Sequence, residues 1–186
     1  MTRCIRPAAD WELSEKYREV YDLVLKANLA AIAQARPGMT GRELDAVARR
    51  IIRKAGHGRR FGHALGHGVG LEIHECPVAS ARSRTVLKPG MLVTIEPGVY
   101  IEGSHGIRTE NELVCRKLEE NEYGQFLGFE TLTCVPIDLD AVVPEQMSPR
   151  QRGWLNDYHA FVRETLLPLM QDDDERAWLR HATRAI

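Results

Sequence analysis

The amino-acid sequence predicts an α+β fold, and three observations predict it. The first third carries apolar residues at helical spacing, the middle holds short apolar or alternating segments bounded by turn residues, and the last third returns to helical spacing behind a capping signal. A chain of 186 residues with a 44% hydrophobic share is enough for one domain, or one domain and a small appendage, with a sizeable core. The formal net charge is −1 with acids and bases interspersed, which argues against nucleic acid or an anionic membrane as partner and for a small molecule or peptide. No apolar run reaches the roughly 18 residues of a membrane span, and MTRCIRPAADWE lacks the apolar core of a secretory signal, so a cytoplasmic location is expected. Cys4, Cys76, Cys115 and Cys134 are scattered without a CxxC pair and read as reduced thiols.

In chain order, Met1 to Asp10 shows neither helical period nor a complete strand. Leu13, Tyr17, Val20, Tyr21, Val24, Ala27 and Ala31 then mark a long amphipathic helix over 13–35, ended by Pro37 and Gly38. Thr40 and Glu43 form a T-x-x-E capping box for a second helix, whose buried stripe is Leu44, Val47, Ala48, Ile51 and Ile52 and which stops near Gly56. Met91 to Ile95 is a short strand ending at Glu96-Pro97-Gly98, and Val99 to Ile101 continues it beyond the turn. Ile107 to Leu118 reads as one strand with Ile107, Thr109, Asn111, Leu113 and Cys115 on one face, and Arg108, Glu110, Glu112 and Val114 on the other. Glu119 to Gln125 is an acidic turn, and Phe126 to Val135 a further strand. Ser148-Pro149 opens a helix that buries Trp154, Leu155, Tyr158, Val162 and Leu166 and ends at Pro168. Asp172 to Asp174 cap a last short helix in which Trp178 and Leu179 are packing residues.

The chemistry gathers in Phe61 to Pro77, FGHALGHGVGLEIHECP, where His63, His67 and His74 stand among four glycines. Glycines permit close approach of other atoms, and imidazoles offer metal ligands or proton carriers. Glu96 and Glu110 add two carboxylates in strands whose other members are largely apolar, an expensive placement unless each is paired or bound to a cation. One imidazole with two carboxylates, His67 with Glu96 and Glu110, suits manganese, iron, cobalt or zinc, whereas calcium and magnesium prefer oxygen alone. His63 and His74 would stand beside such a site as unligated imidazoles facing the substrate, and Arg108 could orient a carboxylate. Cys76 admits a second reading, a Cys/His nucleophile, for which no base is fixed by the sequence.

The segments HALGHGVGLEIHECP, VTIEPGVYI and GIRTENELV resemble, in order and spacing, the signature segments of the pita-bread metallopeptidases, the family of methionine aminopeptidase, prolidase and aminopeptidase P. Thr2-Arg3 resembles the end of that family's D-x-T-R segment, and the stretch from Phe126 to Met170 resembles the C-terminal extension of the large aminopeptidases P. The resemblance implies a curved antiparallel sheet covered by helices, with a catalytic portion over 1–135 and a helical extension over 136–186. It implies that His67 and Glu96 bind metal, that Glu96 also acts as general base, and that Glu110 bridges two ions. It further implies that His63 and His74 contact substrate or assist proton transfer and that Arg108 lies beside the site. The implied reaction is hydrolysis of the bond between an N-terminal residue and proline. The implied cofactor is a divalent metal, manganese foremost with cobalt, zinc or iron as alternatives, and a homodimer is also implied.

The sequence departs from that pattern at its front. The family's site has five protein ligands, and its two aspartates would precede Met1; Asp10 lies in the wrong register to replace either. The expectation is therefore a truncated pita-bread fold that holds at most one ion and hydrolyses little or nothing alone. The alternatives that stay open are a non-catalytic remnant that binds a peptide or protein partner, and one part of a split enzyme.

Overall fold

The computed structural model describes residues 1–6 and 10–186, so the irregular opening expected over Met1 to Asp10 lies partly outside the described residues. Helix α1 (Glu15–Gln34) begins at Ser14, whose hydroxyl accepts from the Tyr17 N–H, two residues later than the apolar rhythm implied. Helix α2 (Gly41–Lys54) opens on the expected capping box. Thr40 Oγ1 accepts from the Glu43 N–H, and the Glu43 carboxylate accepts from the Thr40 N–H. Gly56 then leaves the helix at a φ of 82°, a conformation that favours glycine. The helices pack on each other and bury Val24, Leu25, Leu44, Ala48 and Ile52 in one core with Ile95, Val99, Ile107 and Leu113.

All strand pairings are antiparallel, as expected. Strands β1 (Gly66–Gly68) and β2 (Glu75–Ala79) form one pair, which the glycine-rich sequence did not announce. β3 (Leu92–Ile95), β6 (Asn111–Asn121) and β7 (Gly124–Thr131) form a three-stranded sheet in the order β3-β6-β7, and β4 (Gly98–Ile101) pairs with β5 (His105–Arg108).

Three strand expectations need correction. Val99 to Ile101 does not extend β3, because Pro97 offers no N–H to a ladder and the chain turns to start β4. The single strand expected over Ile107 to Leu118 is two: the Thr109 N–H goes to Pro97 O and the Glu110 N–H to Thr2 O, so the ladder breaks at Thr109 and Glu110. Burial still alternates through the break at Ile107, Thr109, Asn111, Leu113 and Cys115, but Glu110 is buried as well. The acidic turn expected over Glu119 to Gln125 shrinks, because β6 runs on to Asn121 as an exposed arm, where Arg116 pairs with Glu130 and Lys117 with Glu120.

Helix α3 (Pro149–Leu166) is capped by Ser148 in a box with Gln151, and α4 (Asp173–Ala182) by Asp172, whose carboxylate accepts from the Asp174 and Glu175 N–H groups. Leu155, Val162 and Leu179 are fully buried, and Ile137, Leu139 and Leu155 join the main core. Trp178 is 58% exposed, so its expected packing role falls: Leu179, one residue on, takes the inward face. All four cysteines are free, and no helix among the described residues is long and apolar enough to cross a membrane.

Candidate metal centre

The site is built from behind. Asp45, 1% exposed on α2, holds Arg49 through two 2.7 Å hydrogen bonds and accepts from the Leu65 N–H. Arg49 in turn donates to the carbonyls of Phe61 and His63 and lies over the Phe61 ring at 4.2 Å. This clamp fixes the path of the chain into β1. Gly66 then allows β1 to lie directly on β3: a Cβ there would stand 1.7 Å from Thr94 O. The contact is sealed by the Glu96 N–H donating to Leu65 O at 2.8 Å, which brings His67 beside Glu96.

Sequence reasoning passed over Thr94, which joins the two groups. Its hydroxyl accepts from the His67 N–H at 3.0 Å and donates to Glu96 Oε1 at 3.2 Å. His67 Nδ1 lies 2.8 Å from Gly68 O, a contact that only an Nδ1–H can make, so in the neutral ring Nε2 bears a lone pair. That lone pair faces Glu96 Oε1 at 3.1 Å. Two acceptors so placed call for a positive charge between them, a proton or a metal ion. Two ligands each about 2.0–2.2 Å from one cation are separated by about the same distance, and a carbonyl on the far ring nitrogen is the usual support for a metal-binding histidine. The donor chemistry of His67 and Glu96 therefore fits a divalent ion.

Glu110, 6% exposed, faces the same cleft, but its Oε2 is engaged by the Thr2 hydroxyl at 2.8 Å and lies 3.5 Å from the Met1 nitrogen. Among the described residues no group of three or more His, Cys, Asp or Glu side chains is placed to hold an ion. Five of the six residues proposed from the sequence, His67, His74, Glu96, Arg108 and Glu110, thus share one cleft of about 480 Å³ without closing into a complete ligand set.

His74 is exposed at the mouth and packs edge-on against the His67 ring at 4.4 Å. Arg108 lies 3.7 Å from Glu96 Oε2. His63 is not part of the cleft wall. It connects to the cleft through Tyr100, a second residue missed in the sequence: Arg108 Nε donates to the Tyr100 oxygen at 2.7 Å, and the Tyr100 hydroxyl meets His63 Nε2 at 2.9 Å. His63 Nδ1 is spent on Ala64 O, so Nε2 is the acceptor of the tyrosine proton. Burial holds the His63 imidazole below its ordinary pKa, which keeps it neutral at pH 7, and burial raises the Tyr100 phenol against the pull of Arg108. Gly98 and Gly106 make room for the Tyr100 ring, whose atoms would lie 2.6–2.7 Å from a Cβ at either position. The signal that could have found Tyr100 was the register of β4 on β5, which sets Gly98 opposite Arg108 and Tyr100 opposite Gly106.

The profile of metallopeptidase family M24 matches residues 1–117, and that of the C-terminal region of the same peptidases matches 125–186. An Xaa-Pro dipeptidase of Pyrococcus furiosus is 54% identical over 101 residues, which is 54% of this chain and 29% of that protein. A probable Xaa-Pro aminopeptidase P of Pyricularia oryzae is 37% identical over 182 residues, 92% of this chain and 29% of that protein. The crystal structure of an X-prolyl aminopeptidase from Caenorhabditis elegans, described as a cytosolic enzyme with a di-nuclear active site, superposes with a TM-score of 0.81 at 32% identity over 94% of this chain. This chain spans 29% of that structure too, so it corresponds to less than a third of each of the three proteins. The fold is the corresponding part of the pita-bread fold of these peptidases, and the chain belongs to metallopeptidase family M24.

Proposed function

We propose that the cleft is one wall of a metal-dependent centre that hydrolyses the bond between an N-terminal residue and a following proline, and that this chain alone turns over little or no substrate. The observation that carries the reading is His67 Nε2 standing 3.1 Å from Glu96 Oε1, with Nδ1 on the Gly68 carbonyl. His67 and Glu96 would hold a divalent ion, manganese foremost and cobalt, zinc or iron next, with Glu110 as the carboxylate shared in a complete two-ion centre. When bound, such ions polarise the scissile carbonyl and acidify water.

The chain's own groups divide the remaining work. Glu96, oriented by the Thr94 hydroxyl and the Arg108 guanidinium, accepts the proton of the attacking water. His74, exposed at the mouth, is placed to hydrogen-bond the substrate. His63, neutral and held by Tyr100, keeps Arg108 directed at Glu96. Restriction to proline at the second position rests on the relatives, which are Xaa-Pro peptidases by name.

The Met1 nitrogen lies 3.5 Å from Glu110 Oε2, so this end of the chain reaches the cleft beside Glu110. The test follows from that geometry. The chain with manganese should release no N-terminal residue from an Xaa-Pro peptide above the buffer blank. Joined at Met1 to the aspartate-bearing hairpin of an M24 relative, it should do so, and lose the activity on Glu96→Gln. A chimera that binds manganese yet leaves the peptide intact would refute the proposed reaction.

A further inference from the structure

We propose that Asn28, in the middle of α1, is a positioning residue that sets the two carboxylates Glu96 and Glu110 relative to each other. Asn28 is fully buried in a helix that otherwise reads as scaffold. Its Nδ2 donates to Ile95 O at 2.9 Å and to Thr109 O at 3.1 Å. Each of those carbonyls belongs to the peptide unit that leads into one of the carboxylate residues: Ile95 C=O shares a plane with Glu96 N–H, and Thr109 C=O with Glu110 N–H.

The other edge of each plane is also tied, since Glu96 N–H donates to Leu65 O and Glu110 N–H to Thr2 O. Both peptide units are therefore gripped from two sides, and one amide group is common to both grips. This matters because the β3–β6 ladder stops one residue short of both, at Ile95 opposite Asn111, and leaves the Glu96 and Glu110 peptide units to other partners. The amide does this at a price in stability, because Asn28 Oδ1 is buried with no hydrogen-bond partner, an orphan that a leucine of similar size would not leave. Packing alone does not account for a polar side chain at this point; two carbonyls that need one shared donor do.

The functional half of this inference rests on the metal-centre reading above, and the decisive measurement does not. Amide hydrogen exchange is compared in the full chain and in Asn28→Leu. The expected result is exchange faster by about ten-fold or more at the Glu96 and Glu110 amides, with the Ala48 and Ile52 amides of α2 unchanged. Unchanged exchange at Glu96 and Glu110, or acceleration spread evenly over all four, overturns the proposal, the second by marking Asn28 as a general stability element. Asn28→Ala, which cannot overpack, serves if the leucine variant fails to fold; failure of both also assigns Asn28 to general stability. Manganese binding by the same variants then separates the two readings. If the parent chain takes no manganese, the metal reading fails while the exchange result stands. If it binds manganese and the variants bind it equally well, the amide does not serve the site.

Discussion

Arg49→Met tests how the chain is held on its way to His67. The substitution keeps an aliphatic stem over the Phe61 ring and removes four donations: two to Asp45, one to Phe61 O and one to His63 O. The Asp45 carboxylate, 1% exposed, is then left with the Leu65 N–H alone. Breaking a buried ion pair by removing one partner costs about 3–5 kcal/mol. Because the Arg49 side chain is 22% exposed and water can reach the gap, the lower figure of about 3 kcal/mol applies. For a chain of this length each kcal/mol lowers the melting temperature by about 2–4 °C, so thermal circular dichroism at pH 7 should show a drop of about 6–12 °C. The double variant Arg49→Met with Asp45→Leu removes the stranded charge and should recover most of the loss. A single-variant loss below about 1 kcal/mol, or a double variant as unstable as both single changes together, would refute the reasoning.

Two further outcomes follow from the same geometry. Gly66→Ala sets a methyl against backbone that cannot yield as a side chain would; urea denaturation should give a loss of about 3 kcal/mol or more, the upper range for overpacking, and wild-type stability would exclude the close approach of β1 to β3. His159 is fully buried, accepts from the Ile137 N–H, and has its pKa pushed down to about 4, first by burial and then by Arg3, Arg163 and Arg184. The unfolded chain then binds the proton more readily, so this contribution is complete above the unfolded value near 6.5 and is lost as pH falls through the folded value. The loss is about 3 kcal/mol in all. His159→Gln should show a shallower decline between those values in urea midpoints measured against pH, and equal slopes would contradict the assignment.

Much of the frame was legible because caps and periodicity are local signals. Thr40 with Glu43 and Ser148 with Pro149 announce helix starts by residues that bond within one turn. His67, Glu96 and Glu110 stood out as candidate site residues because acids and imidazoles among glycines and apolar strands need a reason to be there. What stayed hidden was whatever depends on partners far along the chain. Ile107 to Cys115 reads as one alternating strand, and nothing local reveals that the Glu110 N–H is drawn away to Thr2. Asn28, Asp45 and His159 each look like one more polar residue in a helix, and their burial follows only from the strands and loops they meet. Tyr100 reads as an ordinary strand aromatic until the β4–β5 register sets it opposite Gly106 and next to Arg108. Trp178 shows the converse error, since an aromatic beside an apolar residue does not say which of the two faces inward.

The central claim, that His67 and Glu96 form the intact part of a metal centre that this chain does not complete, is tested most directly by manganese titration followed by electron paramagnetic resonance of the free ion. The account predicts one weak site per chain, lost in both His67→Ala and Glu96→Gln. Two ions held tightly by the unmodified chain, or binding that survives both substitutions, would contradict it.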